Sequence, residues 1–234
     1  MTKFLILQKL NILLFGLINN MSATDKTKVK RAPKRGFYDR ETIYDILDNS
    51  FICQIAFLHK GYPVIIPTIY GREKDHIYIH GATVSRMLKE LEKEFPISVN
   101  VTETNGIVLA RSAFHHSLNY KSVTVFGEAL LVTNEEERNY ALKIISDKII
   151  PNRWEEVRLP NEKEMKATKI IKIPITEASA KIRTGPPSDD KSDYDLPIWA
   201  GVIPIETTFG TPIADPLLNE GISIPYSVHN LIKD

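Results

Sequence analysis

The chain has 234 residues, of which 43% are hydrophobic and 25% charged, values that are typical of globular proteins. This composition excludes a largely disordered chain, and the length allows one large domain or two small ones. Thirty basic residues against 29 acidic ones give a net charge of +1, so nucleic-acid binding is not expected. The single cysteine, Cys53, excludes an internal disulfide and a cysteine-rich metal site.

Residues 1–35 are predicted to form a leader that precedes the folded domain. Residues 4–18 are apolar, but polar residues interrupt them and the run is shorter than a membrane-spanning helix, so no stable membrane insertion is expected. Three interpretations stay open: a translation start at Met21, a secretion signal, and an amphipathic arm. The first is favoured and predicts a cytoplasmic protein. Residues 26–35 (KTKVKRAPKR) are strongly basic, as in a solvated leader, with an anion or membrane-surface contact as the alternative.

The first predicted elements are a helix over residues 40–48, capped by Asp39, and three strands over 51–58, 62–70 and 77–80. Pro63 and Pro67 mark the second strand as an edge strand or a bent one. Apolar residues at helical spacing then predict a helix over 84–94, and alternation predicts a strand over 97–102. The pair Asn105-Gly106 predicts a turn.

The second half continues with a long strand over residues 122–132, where Gly127 indicates a bulge or a close backbone approach. Residues 133–136 fit a capping box that opens a helix to about residue 149. Strands are predicted over 168–175 and 177–183. Six or more strands with few helices predict a mainly β protein, a closed or partly open antiparallel barrel over residues 36–185. Residues 186–234 are predicted to be a proline-rich extension that packs on the barrel.

The residues that could do chemistry give little support to metal or hydrolase sites. His76 and His80 stand at the two ends of a predicted strand, roughly 13 Å apart, which is too far for one ion, so no metal is predicted. His115 and His116 are predicted to lie in a loop, either as surface residues or at a substrate opening. Cys53 lies within an apolar strand and is expected to be buried and inert. The chain has no G-x-S-x-G motif.

The most informative segment is a hairpin whose second strand passes through Gly81-Ala82 into a helix. Backbone N–H groups at that point, together with Thr83, Ser85 and Arg86, would suit a phosphate group. Arg86 offers two parallel hydrogen bonds to a dianion.

With Arg111, residues 119–123 (NYKSV) and 127–129 (GEA), this segment resembles the flavin-binding split-barrel family related to pyridoxamine 5′-phosphate oxidase, which includes the nitroimidazole-resistance proteins. The resemblance covers residues 40–185 and extends to the motif WAGVIP at 199–204. It implies a six-stranded antiparallel split β-barrel that binds FMN. It further implies a homodimer with FMN at the interface and a small-molecule substrate.

The resemblance also implies the residues of the site. It assigns the flavin ring to Pro67, Thr68, Ile69 and Tyr70. It assigns the ribityl chain and phosphate to His80, Gly81, Ala82, Ser85 and Arg86. It assigns further cofactor contacts near the interface to Tyr120 and Ser122, with Arg111 close by. The match of Lys181 and Arg183 to basic residues of the family is loose.

Two departures from the oxidase pattern bear on the activity. Met87 replaces a basic residue, and the late R-x-H-D-R signature is absent from the sequence, so oxidation of vitamin B6 is not expected. The sequence predicts an FMN-dependent oxidoreductase, nitroreductase-like, in which His80 is the candidate catalytic residue because its imidazole could pass a proton. The alternatives are a non-catalytic flavin- or haem-binding protein and an interface protein without a cofactor.

Overall fold

A computed structural model of the chain describes residues 20–93 and 96–232, and the predicted apolar segment at 4–18 lies outside them. The strands of the described part are β1 (Gly36–Phe37), β2 (Ile52–His59), β3 (Tyr62–Ile69), β4 (Gly71–Glu73), β5 (His76–Ala82), β6 (Pro96–Leu109), β7 (Ser117–Glu128), β8 (Leu130–Leu131), β9 (Thr168–Pro174), β10 (Glu177–Arg183) and β11 (Gly201–Pro204). The α-helices are α1 (Arg40–Asn49), α2 (Arg86–Leu91), α3 (Glu135–Ile149), α4 (Glu162–Ala167) and α5 (Tyr226–Leu231).

The strands form two antiparallel sheets. The larger sheet has the order β1-β10-β7-β6-β2-β3, and β11 adds to the outer half of β6. The smaller sheet has the order β4-β5-β9-β8. The prediction of a mainly β antiparallel fold is confirmed, and β3 is an edge strand, as its two prolines indicated.

The core lies between the two sheets and follows from period-2 alternation. In β2, Cys53, Ile55 and Phe57 point inward, while the residues between them point to the outer face of the larger sheet. Helix α1 closes one end of the barrel with Ile43, Ile46 and Leu47. Asp39 caps α1 as predicted, since its carboxylate accepts from the Thr42 amide at 2.8 Å.

A second, smaller cluster lies on the other side of β5 and β9, where α3 packs. It consists of Tyr78, Val132, Ala141, Ile145 and Ile170. Asn134 caps α3, accepting from the Glu137 amide at 2.9 Å. The only complete capping box seen in the described residues opens α4 instead, between Asn161 and Glu164.

Three local predictions were wrong in detail. The pair Asn105-Gly106 does not end a strand: β6 continues through it with a shift in register between Thr104 and Gly106. A Cβ on Gly106 would lie 3.0 Å from Val202, so glycine there lets β11 approach β6. The helix predicted over 84–94 is shorter, at Arg86–Leu91, and the long strand begins at Ser117 rather than at residue 122.

The C-terminal extension runs across the barrel with little regular structure. β11 pairs with β6, the ring of Phe209 meets that of Phe51 edge-on at 6.1 Å, and α5 is held where Ser227 bonds to Glu156. No helix within residues 20–93 and 96–232 is long and apolar enough to span a bilayer.

Candidate functional site

His80 lies near the end of β5 on the side of the smaller sheet that faces away from the barrel core. Its neighbour Ile79 is fully buried in the core, and alternation therefore turns the imidazole the other way. The Nδ1 atom is buried and has no hydrogen-bond partner among the described residues. Burial also lowers the pKa of His80, because the charged ring would lose its hydration. The imidazole thus presents one buried nitrogen that has no partner in the described part of the chain.

The end of β3 lies beside His80. Gly71 at the start of β4 pairs with Tyr78 of β5, so the chain passes from β3 directly to the strand that carries His80. Tyr70 and Ile79 are both buried in the core, and Ile69 and His80 therefore share the outer side. Pro67 follows two residues back along β3, where it is exposed. The exposed residues Pro67 and Ile69 form an apolar floor on the outer side of β3, and His80 lies on the outer side of β5.

The turn between β5 and α2 is less open to an anion than the sequence predicted. The Ser85 amide donates to Ala82 at 2.9 Å, and the Thr83 amide donates to Ala167 at 2.9 Å, so neither N–H is free for a phosphate. Gly81 serves packing, since a Cβ there would come within 3.2 Å of Leu88. Helix α2 has only six residues, and it offers at most a weak dipole.

Two side chains at the start of α2 nevertheless remain available. Ser85 stands at the N-cap but its hydroxyl makes no capping hydrogen bond, although serine usually does so at that position. Arg86 is exposed and makes no ion pair with any residue of the described part. A hydroxyl donor and a guanidinium two-point donor next to each other fit a phosphate oxygen pair.

Ser122 and Tyr120 lie on the outer face of the larger sheet, as part of a polar stripe across β6 and β7. The Ser122 hydroxyl accepts from Asn100 at 3.2 Å, lies 2.9 Å from the Thr102 hydroxyl, and donates to the Val101 carbonyl at 3.1 Å. Tyr120 follows on the same face, between Thr104 and Arg183. The stripe is polar and internally bonded, so its side chains are held in fixed positions.

Tyr120 and Ser122 lie on a strand that is not a neighbour of β3 in the larger sheet. The strand order sets β2 and β6 between β3 and β7, three steps of about 4.8 Å each, or roughly 14 Å. His80 and Arg86 therefore form one half-site and Tyr120 with Ser122 another.

Two predicted site residues, Tyr70 and Arg111, make hydrogen bonds to other parts of the protein. The Tyr70 side chain is fully buried, and its hydroxyl donates to the Leu47 carbonyl, so only its backbone could reach a ligand. Arg111 donates from its backbone amide at 2.9 Å and from its guanidinium at 3.0 Å to Asp189, which belongs to the C-terminal extension. The expected flavin contacts of the Tyr70 side chain and of Arg111 are thus not supported by the geometry. Thr68, on the inner side of β3, bonds only to the neighbouring Ile69 carbonyl, and Ala82 is exposed at the end of β5.

Sequence reasoning missed the residues that fasten the extension. Arg183 is buried and donates to Asn119, to the Gly185 carbonyl at 3.2 Å and to the Pro186 carbonyl at 3.2 Å. Arg183 therefore holds the start of the extension rather than a cofactor. The sequence analysis also missed Gln54, whose buried Oε1 lacks a partner in the described ranges. The signal for Gln54 was visible as one polar residue within the apolar strand FICQIAFL.

Comparisons with known proteins agree on one family. The family model described as pyridoxamine 5′-phosphate oxidase matches residues 39–182. The structure of the flavocytochrome Anf3 from Azotobacter vinelandii is 37% identical with a TM-score of 0.86, and the match covers 90% of this chain and 98% of that one. The structure of the FAD and heme binding protein from Mycobacterium smegmatis is 34% identical with a TM-score of 0.81, and the match covers 85% of this chain and 97% of that one.

A third structure, described as a 5-nitroimidazole antibiotic resistance protein from Bacteroides thetaiotaomicron, is 18% identical with a TM-score of 0.55. Its match covers 63% of this chain and 86% of that one, and it supports the fold alone. A search among curated proteins found no match. The family model and the two structures above 30% identity confirm the split-barrel prediction, and the chain belongs to the pyridoxamine 5′-phosphate oxidase-like family.

Proposed function

We propose that the chain is a redox protein that binds a flavin nucleotide and a haem, and that it works as a homodimer. The observation that carries this proposal is the likeness to a flavocytochrome and to an FAD and heme binding protein over 97–98% of their lengths. This favours the cofactor-binding alternative over an oxidoreductase that uses FMN alone. The flavin would supply hydride and electron transfer, and the haem one-electron chemistry.

The two half-sites fit a flavin nucleotide. Pro67 and Ile69 offer an apolar floor of the kind a flavin ring needs, and His80 offers a neutral nitrogen at its edge. Ser85 and Arg86 would hold the phosphate of the same molecule. Tyr120 and Ser122 would come from the second copy, because strand order keeps them roughly 14 Å from β3 in their own chain.

The identity of the flavin is the point on which the family resemblance and the comparisons differ. The resemblance implies FMN, whereas the 34% identical structure is that of an FAD and heme binding protein. We favour FAD, since that structure matches the chain over 85% of its length. Release of the flavin from the purified full-length protein, followed by chromatography and mass determination, separates FMN from FAD. A haemochrome assay of the same sample tests for haem.

Arg86 offers a matched test of the flavin site. Arg86→Ala removes a charge-assisted pair of hydrogen bonds worth about 1.5–3 kcal/mol, which weakens flavin binding roughly 10- to 150-fold. Lys89→Ala is the control, because Lys89 is an exposed cation on the same short helix. Calorimetric titration of the flavin-free protein measures both. Equal affinities for the two variants would refute the role of Arg86.

A second candidate is catalysis on a small-molecule substrate, with His80 as the proton donor or acceptor. The specific observation in its favour is the buried, unpartnered Nδ1 of His80 beside the apolar floor. Addition of NADH or NADPH to the coloured protein discriminates the two cases. Bleaching followed by turnover with an added nitro compound, and its loss in His80→Ala with flavin retained, supports an enzyme. A colour that persists with every donor supports a carrier.

A further inference from the structure

Residues 22–35, called the basic loop below, carry six basic residues and one acidic residue, Asp25. The loop therefore has a large excess of positive charge, although the whole chain has a net charge of only +1. Lys26 pairs with Glu177 at 3.0 Å. The other five cations are exposed and make no ion pair with any residue of 20–93 or 96–232: they are Lys28, Lys30, Arg31, Lys34 and Arg35.

The basic loop is folded against the barrel. The Val29 amide donates to the Tyr38 hydroxyl at 2.9 Å, and the Thr24 hydroxyl donates to the Glu177 carboxylate at 2.8 Å. A Cβ on Gly36 would lie 2.9 Å from the Val29 side chain, so glycine at the start of β1 lets the loop pack closely there. The backbone that carries the five unpaired cations therefore has a fixed position.

Holding these cations on one folded segment costs free energy, because like charges repel one another. Lys30 and Arg31 are adjacent in sequence, and so are Lys34 and Arg35. A freely moving tail would let the charges spread apart, whereas the folded loop keeps them together. An anionic partner would offset the repulsion, so the loop has the properties of a binding surface for such a partner.

The basic loop lies next to the strand that carries Tyr120 and Ser122. β1 follows the loop directly and pairs with β10, which pairs with β7. Burial and the charge of Arg35 lower the pKa of Arg183, so Arg35 lies close to that guanidinium. Arg183 is in turn the cross-strand partner of Tyr120. The loop therefore adjoins the β7 half-site proposed for the flavin, at the opposite edge of the larger sheet from β3.

An acidic protein surface fits the basic loop better than a small anion does. The five unpaired cations are spread over residues 28–35, so no single phosphate or carboxylate could contact all of them. Electron-transfer proteins dock weakly through small interfaces, in which complementary charge speeds association and selects the partner. A redox protein needs a source of electrons, and a donor docked at the loop would lie next to the flavin.

We propose that the basic loop is the docking surface for an acidic electron-transfer protein that delivers electrons to the flavin. This inference rests on the proposed function, because it names the class of donor for the flavin proposed there. Each docked partner gives up one electron and is oxidised. Two such transfers, with two protons taken from water, reduce one oxidised flavin completely. The exposed cations steer the partner, so they set the association rate and its dependence on salt.

The experiment uses an acidic two-iron ferredoxin as the probe and the full-length protein in its flavin-free and flavin-loaded forms. The loop variant, Arg31→Glu with Lys34→Glu, reverses two cations of the basic loop. Lys163→Glu with Lys166→Glu is the matched control, because both lysines are exposed on α4 and the net charge changes by the same amount. The melting temperature checks that each variant is folded.

Calorimetric titration at low ionic strength should show saturable ferredoxin binding to the unsubstituted protein. The loop variant should weaken this binding roughly 10-fold or more, and the control should change it less than about twofold. Added salt should weaken ferredoxin binding to the unsubstituted protein more steeply than to the loop variant. Stopped-flow mixing with reduced ferredoxin should show slower flavin reduction in the loop variant, whereas photochemical reduction, which needs no docking, should proceed equally in all three proteins.

The outcomes distinguish this inference from the proposed function. A protein that takes up no flavin refutes the flavin part of the proposed function, and titration of that flavin-free protein with ferredoxin still tests the loop. Absence of ferredoxin binding, or equal binding and equal flavin reduction in the two double variants, overturns the inference alone. Phosphatidylserine vesicles and duplex DNA are titrated in the same way. Binding of either one that depends on Arg31 and Lys34, without ferredoxin binding, overturns the inference as well.

Discussion

Arg183 allows the attachment of the extension to be tested quantitatively. Its buried guanidinium donates to Asn119 and to the carbonyls of Gly185 and Pro186, and it makes no ion pair within residues 20–93 and 96–232. Arg183→Met keeps an aliphatic side chain but removes the three hydrogen bonds, each of which contributes about 1 kcal/mol to the free energy of unfolding. Burial and the nearby charge of Arg35 lower the pKa of Arg183, so a hydrophobic replacement regains part of that cost.

The net destabilisation expected for Arg183→Met is therefore about 2 kcal/mol, and the melting temperature should fall by roughly 4–8 °C for a chain of this size. Differential scanning calorimetry measures the melting temperature, and limited proteolysis shows whether residues after Gly185 become accessible first. Lys181→Met, on the same strand, is the control, because Lys181 makes no ion pair in the described residues. A melting temperature within about 1 °C of the unsubstituted protein would refute the reasoning.

Three further predictions test the interface, the site and the core. Ile65→Glu places a charge at a 66%-exposed apolar position on the outer face of the larger sheet. Light scattering should then show a monomer, and the absorbance spectrum should show reduced flavin content. A dimer with full flavin content would contradict the two-copy site. The pKa of His80 is lowered by burial, so the unfolded chain binds more protons just below pH 6.5 and stability falls as the pH drops through that range. The urea concentration at the unfolding midpoint should fall between pH 7.5 and pH 5.5, and it should fall less in His80→Gln than in the unsubstituted protein. His229→Gln is the control, because His229 is exposed, and its midpoint should fall by as much as that of the unsubstituted protein. Burial raises the pKa of the Cys53 thiol to about 12, so a thiol reagent at pH 8 should label it only after unfolding; rapid labelling of the native protein would show that β2 opens.

Local patterns in the sequence were sufficient for most of the fold. Alternation in β2 predicted the inward residues Cys53, Ile55 and Phe57, and Asp39 predicted the start of α1. The errors arose where a distant segment decided the local structure. Asn105-Gly106 has the composition of a hairpin turn, but pairing with β11 holds it in β6 as a bulge. The packing partner lies almost 100 residues later in the chain.

The surroundings of the predicted site residues depend on distant segments in the same way. Ser85 and Arg86 are adjacent in sequence, so the proposal that they hold one phosphate depends on a local motif alone. Arg111 belongs to the same family resemblance, yet its guanidinium donates to Asp189, which comes from the extension. A sequence motif that ends before the extension cannot show which arginines form hydrogen bonds with residues of the extension.

The division of the predicted flavin residues between two half-sites is itself an argument about assembly. A ligand bound by Arg86 on α2 and by Ser122 on β7 would have to cross β2 and β6 within one chain, over a surface where Asn100, Thr102 and Ser122 already satisfy one another. A two-fold axis through the outer face of the larger sheet removes this difficulty, because β7 of one copy can then lie against β3 of the other. The exposed Ile65 and Pro67 on that face would be buried by the same contact. Flavin binding and dimer formation should therefore be linked, so that added flavin shifts the monomer–dimer equilibrium of the Ile65→Glu variant back toward the dimer.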